Sequence, residues 1–437
     1  MTTRSFFRDG LSVYLTKLWV LGLSVFSVVI QAKALGPDGR GSLAMLLIYP
    51  QLFSAIAEGG MRQATVYYVG RQLISDGRVV GASILYTLVS ALTFSTLIFF
   101  LVAHNQHHRF SAIVILAAAS LLPFNLTLNA IRGIFLGKQH ITQFNTTQWL
   151  QKLVQVGVLA TLFGLGYLTV ETAVLTLVLA TLTSTVPAIY FFCRHLHTRI
   201  ELHLPTLWLM VRKGCVYAAA LALVEANYRL DILLLGWLSN QAEVGRYAVA
   251  VQVGELLWQL PAAIGIVVFS RSANEQNSVH WHRDLARSIR LSLWLTLGGA
   301  LGLMLVAPLL FQLLFGPGFA GSATMTLWLL PGLILMVAFK LLNMDLAGKG
   351  KPYVSLCIML PALLLNVALN YLLIPSLGGN GAAIASTISY SAAAIAMLAT
   401  CSRMHGLRWR DLVLIQSADI RMLGNKFGAW TPLRKEA

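Results

Sequence analysis

The chain is 437 residues long, 57% hydrophobic and only 11% charged, with a formal net charge of +16 and a mean hydropathy of +0.72. Soluble domains carry roughly a quarter of charged residues, so a soluble protein is excluded; apolar content, aperiodic Gly and Pro, and only four cysteines exclude disordered, collagen-like and disulfide-stapled chains. What remains is an all-α polytopic membrane protein, with material for about twelve spans of about 20 residues.

In chain order, apolar runs long enough to span start near Leu11, Ser42, Val79, Ser111, Ile141, Val170, Leu207, Val244, Leu285, Ser322, Tyr353 and Gly381. Stretches such as 111–122 are apolar on every side, which rules out the alternating segments of an outer-membrane barrel. The breaks between runs are short and made of turn residues: Gly36-Pro37-Asp38-Gly39-Arg40-Gly41, Asn105-Gln106-His107-His108, Gly316-Pro317-Gly318 and Gly378-Gly379-Asn380. Arg4, Arg8 and Lys17 before the run 18–30 and Ala32-Lys33-Ala34 have the outline of a cleaved signal peptide. The internal repeat described next needs this first helix, which is therefore read as a span.

Basic residues set the orientation. With the N-terminus in the cytoplasm, the inner segments and the C-terminal tail carry most Lys and Arg, among them Arg71, Arg132, Lys138, Arg194, Arg212 and Lys349, whereas the outer loops carry Arg40, Arg109 and Arg246. The positive-inside rule then places both termini in the cytoplasm, and the net charge reads as a basic face beside anionic headgroups, with no soluble module to bind nucleic acid.

Two similarities point to an internal repeat. Gly41-Ser42-Leu43-Ala44 has a counterpart in Gly245-Arg246-Tyr247-Ala248, 204 residues on, and Leu136-Gly137-Lys138 has one in Ala347-Gly348-Lys349, 211 on, with Pro123 and Pro331 inside the preceding spans. The expectation is two parallel six-helix halves, residues 1–198 and 199–403, related by an axis along the membrane normal with a site at their interface. Residues 404–437 follow as a basic tail, in which Trp409, Leu412, Val413, Ile415 and Ile420 alternate with Arg408, Arg410 and Arg421 as in a helix lying on the headgroups.

Ionisable groups inside spans are costly and mark sites or buried pairs. Glu58 and Arg62, like Glu225 and Arg229, are four apart with the acid first, the favourable order for a helical pair; such a pair is either structural or offers its Arg to an anion from a water-filled cavity. Lys17 and Lys152 have no acid at helical spacing and are the candidates for an anionic ligand. Glu255, with no base three or four away, and then Asp231 are the candidates for a proton or cation site, the alternative being a neutral hydrogen-bonded carboxyl. Lys33, Lys340 and Asp345 lie near predicted helix ends and read as interfacial.

Enzymatic and cofactor motifs are missing. Gly133-Ile134-Phe135-Leu136-Gly137-Lys138 is one residue short of a phosphate loop and lacks its Ser/Thr, so ATP is not the energy source. Cys193, Cys215, Cys357 and Cys401 are scattered and read as buried small hydrophobes, and His195, His197 and His203 as a solvated cluster. No metal or cofactor is expected, and the outer loops are too short for a catalytic constellation.

Ala34-Leu35-Gly36-Pro37-Asp38-Gly39-Arg40-Gly41, Asn227-Tyr228-Arg229-Leu230-Asp231, and Gly245-Arg246-Tyr247-Ala248-Val249-Ala250 with Glu255-Leu256-Leu257-Trp258 resemble the Wzx-type, polysaccharide-transport branch of the multidrug/oligosaccharidyl-lipid/polysaccharide exporter superfamily, nearly end to end. The resemblance implies a flippase, not an enzyme, in the bacterial cytoplasmic membrane. It would move a polyprenyl-pyrophosphate-linked oligosaccharide outward by alternating access, working with membrane lipids, a proton or sodium gradient and polysaccharide polymerase machinery. In that setting Lys17, Arg62, Lys152 and Arg229 would receive the pyrophosphate, and Glu58, Asp231 or Glu255 would couple the ion. Gln51, Asn129, Gln148, Asn227, Gln252 and Asn366 would meet sugar hydroxyls. The rivals are a cation-coupled drug or metabolite exporter of the same superfamily and, disfavoured for want of an outer loop, a membrane glycan polymerase or ligase.

Overall fold

The computed structural model describes residues 3–106, 110–195, 199–274, 279–406, 409–414 and 416, and these are helical almost throughout. In order they form α1 (Thr3–Glu58), α2 (Met61–Gly70), α3 (Asp76–Gln106), α4 (Ala112–Gly137), α5 (Ile141–Gly164), α6 (Val170–His195), α7 (Leu204–Leu238), α8 (Gln241–Glu255), α9 (Gln259–Asn274), α10 (Val279–Phe315), α11 (Ala320–Gly348), α12 (Tyr353–Leu377), α13 (Gly379–His405) and the short α14 (Trp409–Val413).

Twelve membrane crossings follow from length. Among the described residues eight helical stretches are long and apolar enough to span, and two bent pairs, within α7 and across α8 and α9, add two more. The stretch Leu18–Gly70 has 53 residues, far beyond the about 20 that one crossing needs, and it folds into two crossings at Gly36, whose φ of 64° and ψ of −177° interrupt the helix before Pro37. The twelfth is α5, too rich in Gln, Thr and Lys to pass for a lipid-facing span. Its polarity is explained by the cavity it lines.

The second and eighth crossings are both broken along their length. The second stops at Glu58, turns through the left-handed Gly59 and Gly60 (φ 58° and 67°), and resumes as α2. A non-glycine residue pays for that conformation, so the break is written into the Gly-Gly pair. The eighth stops at Glu255, passes through a 3-10 turn at Leu256–Trp258 and bends by 52° into α9.

The repeat read from the sequence is visible as contact geometry. A Cβ on Gly41 would lie 1.8 Å from the Gln241 carbonyl oxygen and one on Gly245 1.9 Å from that of Pro37, each also 3.0 Å or less from the other glycine's nitrogen. Residue 37 corresponds to 241 and 41 to 245, so the contact is reciprocal, as it must be across a two-fold axis. The helix ends Lys138 and Lys349 repeat as well: Lys138 N bonds Ile134 O and His140 N bonds Phe135 O, as Lys349 N bonds Asp345 O and Lys351 N bonds Leu346 O. Both are left-handed C-terminal caps.

The seventh crossing belongs to both sides of the molecule. Its cytoplasmic part, Leu207, Met210 and Val211, packs in one cluster with Met61, Ala64, Tyr68, Val69, Val79 and Ala82 of α2 and α3, and Gly214 abuts the Gly59-Gly60 backbone. After a 43° bend between Cys215 and Tyr217, the rest packs on α12 and α8. The connecting segment is tied to α3, with Glu201 N donating to Gly77 O at 3.1 Å and Arg78 pairing with Glu201 at 2.9 Å.

Several side chains sit elsewhere than the sequence suggested. Asp345 is fully buried rather than interfacial, accepting from Ser272 Oγ (2.6 Å), Trp281 Nε1 (3.0 Å) and Lys349 Nζ (2.9 Å). Lys340 is packed with its ammonium 3.7 Å from the Trp258 ring centroid and 4.8 Å from that of Tyr228. The helix carrying both runs on to Gly348, so Lys340 stands two turns inside it, whereas Asp345 is in its last turn but turned into the protein. Cys193, Cys215 and Cys357 are exposed and Cys401 alone of the four is buried; in a membrane a thiol on an apolar helix can face lipid, so burial does not follow from its chemistry. His203 accepts from Thr206 N and caps α7, and no cluster of three or more His, Cys, Asp or Glu forms among the described residues. Of the tail, α14 docks on α10: Leu412 is buried, Trp294 Nε1 donates to Val413 O at 3.0 Å and Arg290 to Asp411 O. Arg408, Ile415, Ile420 and Arg421 lie outside the described residues.

Candidate functional site

Between the first six crossings and the last six lies a cavity of about 910 Å³. It is lined by the first, second, fourth, fifth and sixth crossings on one side and the seventh and eighth, with Phe315 of the ninth, on the other, and it reaches Val20, Arg62 and Gln259 toward the cytoplasm. Its outer end is shut by the Gly41–Gly245 contact and by a cluster of Ala32, Val249, Phe311, Phe315 and Phe319. Just beneath, Arg40 Nη2 donates to Gln252 Oε1 at 2.8 Å, bridging the two sides.

The lining is polar in a particular way. Gln31, Gln51, Gln148, Gln151, Gln155, Gln252 and Gln259 all face the cavity. On the wall of the fifth crossing, Lys152 Nζ donates to Gln155 Oε1 (3.0 Å), and the Gln155 amide donates to Ser27 (3.2 Å), which also receives Gln31 (3.3 Å). A row of carboxamides offers both donors and acceptors without charge, and that suits hydroxyl-rich ligands.

The charged groups sort into compensated and uncompensated sets. Arg62 pairs with Glu58 at 3.1 Å, and Asn129 donates to the other Glu58 oxygen at 3.1 Å. Arg229 lies between two acids, Glu225 at 3.2 Å on its own helix and Glu255 at 3.4 Å on the eighth crossing. Glu255 therefore has a base after all; its partner is on another helix, which spacing along one helix cannot show. Lys152 and Arg40 are held by amides, with no acid in ion-pair contact among the described residues. The Lys17 side chain lies outside the described residues.

Arg40 was assigned to an outer loop and is instead 4% exposed within the cavity roof. The helix starts at Pro37, immediately after the Gly36 break, so Arg40 is already one turn down the second crossing. Its proximity to Gly36-Pro37 was the only signal available, and it pointed the wrong way.

Asp231 is fully buried and not on the cavity wall. It accepts from Tyr247 Oη, from Ser386 Oγ at 2.9 Å and from Ile232 N at 2.8 Å, with no basic side chain in ion-pair contact among the described residues. Asn366 donates to the same Ser386 at 3.4 Å. Of the predicted sugar-facing amides, Gln51, Gln148 and Gln252 line the cavity, Asn129 serves Glu58, and Asn227 and Asn366 are buried away from it. Helical periodicity had given no reason to separate these positions.

Residues 6–274, well over half the chain, match the family described as polysaccharide biosynthesis proteins. Among curated proteins, a probable low-salt glycan biosynthesis flippase, Agl15 of Haloferax volcanii, is 24% identical over 167 residues, covering 37% of this chain and 35% of its own length; the match thus spans about a third of that relative. Among solved structures, the lipid II flippase MurJ in an inward closed conformation aligns with a TM-score of 0.76 at 13% identity, over 97% of this chain and 93% of that one. A multidrug resistance transporter of the MATE family, inward-facing, aligns with a TM-score of 0.74 at 15% identity, over 90% and 98%. At such identities the two structures establish the fold.

Proposed function

The chain belongs to the polysaccharide biosynthesis protein family, as a multi-pass membrane protein with a MATE-like fold of two six-helix halves, and from that premise we propose that it is a flippase for a polyprenyl-pyrophosphate-linked oligosaccharide in the bacterial cytoplasmic membrane. The observation that carries this reading is the lining of the cavity: carboxamides in series beside two cations, Lys152 and Arg40, that meet no carboxylate among the described residues. Hydroxyl-rich sugar meets the amides, the pyrophosphate meets the cations, and the polyprenyl tail stays in lipid.

The cavity is closed outside and extends toward the cytoplasm, which is the state that receives cargo from the inner leaflet. Rocking of the halves that parts the Gly41–Gly245 seam then exposes it outward. Arg62 and Arg229 contribute to the anion site only by sharing with Glu58, Glu225 and Glu255, so their part is to tune the field. Lys17, on the first crossing that also supplies Gln31, belongs to the same proposal. Of the three candidate coupling carboxylates, Glu58 and Glu255 already neutralise arginines, and Asp231 is the one free of an ion pair. It joins the seventh, eighth and twelfth crossings through Tyr247 and Ser386, so loss or gain of its charge repacks the half that must move. A proton or sodium gradient would act there.

The test is a deletion in the strain of origin. Lipid-linked intermediates are extracted, their leaflet is read with a membrane-impermeant glycan probe, and surface polysaccharide is stained in parallel. Accumulation on the cytoplasmic face with loss of surface polymer is expected. A normal surface with new sensitivity to small cationic compounds refutes the flippase reading and favours an exporter.

A further inference from the structure

Arg40 breaks three local rules at once. It is 4% exposed, its Nε finds no hydrogen-bond partner, and its single cross-half bond goes to an uncharged amide, Gln252 Oε1 at 2.8 Å. It also stands in the first turn after Pro37, where the helix dipole disfavours a cation. Packing does not require it: with the offset that relates Gly41 to Gly245, its counterpart is Val244, a fully buried aliphatic residue. A buried guanidinium that is neither neutralised nor saturated is a group waiting for an anion.

Its position gives the anion something to do. Arg40 directly precedes Gly41, the residue whose backbone closes the outer seam against Gly245, and its Nη2 donates the bond that crosses beneath that seam. A phosphate is a better acceptor than a carboxamide and takes a guanidinium in a bidentate grip, so binding draws Arg40 from Gln252. The ligand then favours the open seam by its differential affinity for the released arginine, which is all that a ligand-driven transition requires.

We propose that Arg40 and Gln252 form an anion-operated latch, in which the pyrophosphate of the lipid-linked cargo, on reaching the closed end of the cavity, takes Arg40 from Gln252 and releases the outer seam. This rests on the flippase reading for the nature of the anion.

The test uses full-length protein in nanodiscs with the four cysteines replaced by Ser and Val244→Cys as a reporter buried in the seam. Maleimide labelling is followed with undecaprenyl pyrophosphate, undecaprenyl alcohol or inorganic pyrophosphate, and lipid binding is measured separately by native mass spectrometry. Undecaprenyl pyrophosphate should speed labelling several-fold and the alcohol leave it unchanged. Arg40→Gln, which can still bond Gln252, should weaken binding about tenfold or more, as loss of one charge-assisted contact predicts, and abolish the labelling response. Arg40→Lys should retain part of both, and Gln252→Leu should label fast without ligand. Binding and labelling in Arg40→Gln equal to the parent, or weaker binding with the labelling response intact, overturns the latch. A response to inorganic pyrophosphate with none to the lipid assigns Arg40 to a soluble anion and overturns it too. Failure of the parent to bind undecaprenyl pyrophosphate removes the flippase reading itself, a result distinct from the others.

Discussion

A methyl group at Gly41 tests whether the outer seam is a close-packed two-state contact. The added carbon would lie 1.8 Å from the Gln241 carbonyl oxygen and 2.8 Å from its carbon, both backbone atoms that no rotamer change can move. The second and eighth crossings must therefore part by more than an ångström or the seam must stay open. Overpacking of this kind costs about 1–3 kcal/mol, and because the strain exists only when the seam is shut, it multiplies the open population by roughly 5–150. The measurement is electron–electron resonance between spin labels at positions 38 and 242, which flank the seam from opposite halves. Gly41→Ala should shift the distance distribution to longer values, and Gly245→Ala should shift it similarly, since its methyl would meet the Pro37 oxygen at 1.9 Å. Gly22→Ala, where the methyl meets nothing within 4 Å, should leave it unchanged. A Gly41→Ala distribution superimposable on that of a folded parent refutes the reasoning.

Further outcomes follow from other parts of the structure. Lys152→Met should lower undecaprenyl pyrophosphate affinity by about tenfold with thermal stability kept, by native mass spectrometry and a melting curve; unchanged affinity removes Lys152 from the anion site. Asp231→Asn should abolish the response of flipping to an imposed proton or sodium gradient in proteoliposomes, whereas Glu255→Gln, which leaves Arg229 paired with Glu225, should retain it; the reverse pattern would return the coupling role to Glu255. Gly81→Val should unseat the segment before α7, because a side chain there runs into the Glu201 carbonyl at 2.2 Å, a cost of about 1–3 kcal/mol. Faster tryptic cleavage after Arg199 is the readout, and an unchanged rate would show that the segment is held by other contacts.

The helical class, the crossings and the repeat were legible in the sequence because each depends on composition or on local turn chemistry: Gly36-Pro37 ends a helix wherever it stands, and Gly137-Lys138 with Gly348-Lys349 writes the same cap twice. Pairings within one helix, Glu58 with Arg62 and Glu225 with Arg229, were legible for the same reason. What failed was everything decided by a second helix. Glu255 meets Arg229 across 26 positions, Asp345 meets Ser272 across 73, and Arg40 meets Gln252 across 212; no periodicity in one segment encodes these. Lys340 was misplaced because its aromatic neighbours come from the seventh and eighth crossings, and which amides face the cavity and which the interior depends on how each helix is turned against its neighbours.

The repeat also shows where the two halves have parted, and this bears on mechanism. Carried along the first two crossings, the offset that pairs Gly41 with Gly245 pairs the breaks Gly36 and Asn240 as well, so it holds on both sides of the turn. It then sets Leu21 opposite Glu225, Val25 opposite Arg229, Ser27 opposite Asp231 and Gln51 opposite Glu255. None of these charges has a charged twin. Had they served only to hold a two-fold bundle together, the same packing problem would have met the same solution in both halves, since buried ion pairs are costly and add little stability over apolar packing. Instead the first half presents neutral hydrogen-bonding groups, Ser27, Gln31 and Gln155 beside Lys152, and keeps its ion pair Glu58–Arg62 at a position with no charged counterpart in the second, which gathers its ionisable groups around Arg229 and Asp231. A symmetric scaffold with an asymmetric filling is what a transporter needs if one half grips the cargo and the other responds to the ion. Arg40 also belongs to the first half, and it stands directly beside the reciprocal Gly41–Gly245 contact that relates the two halves.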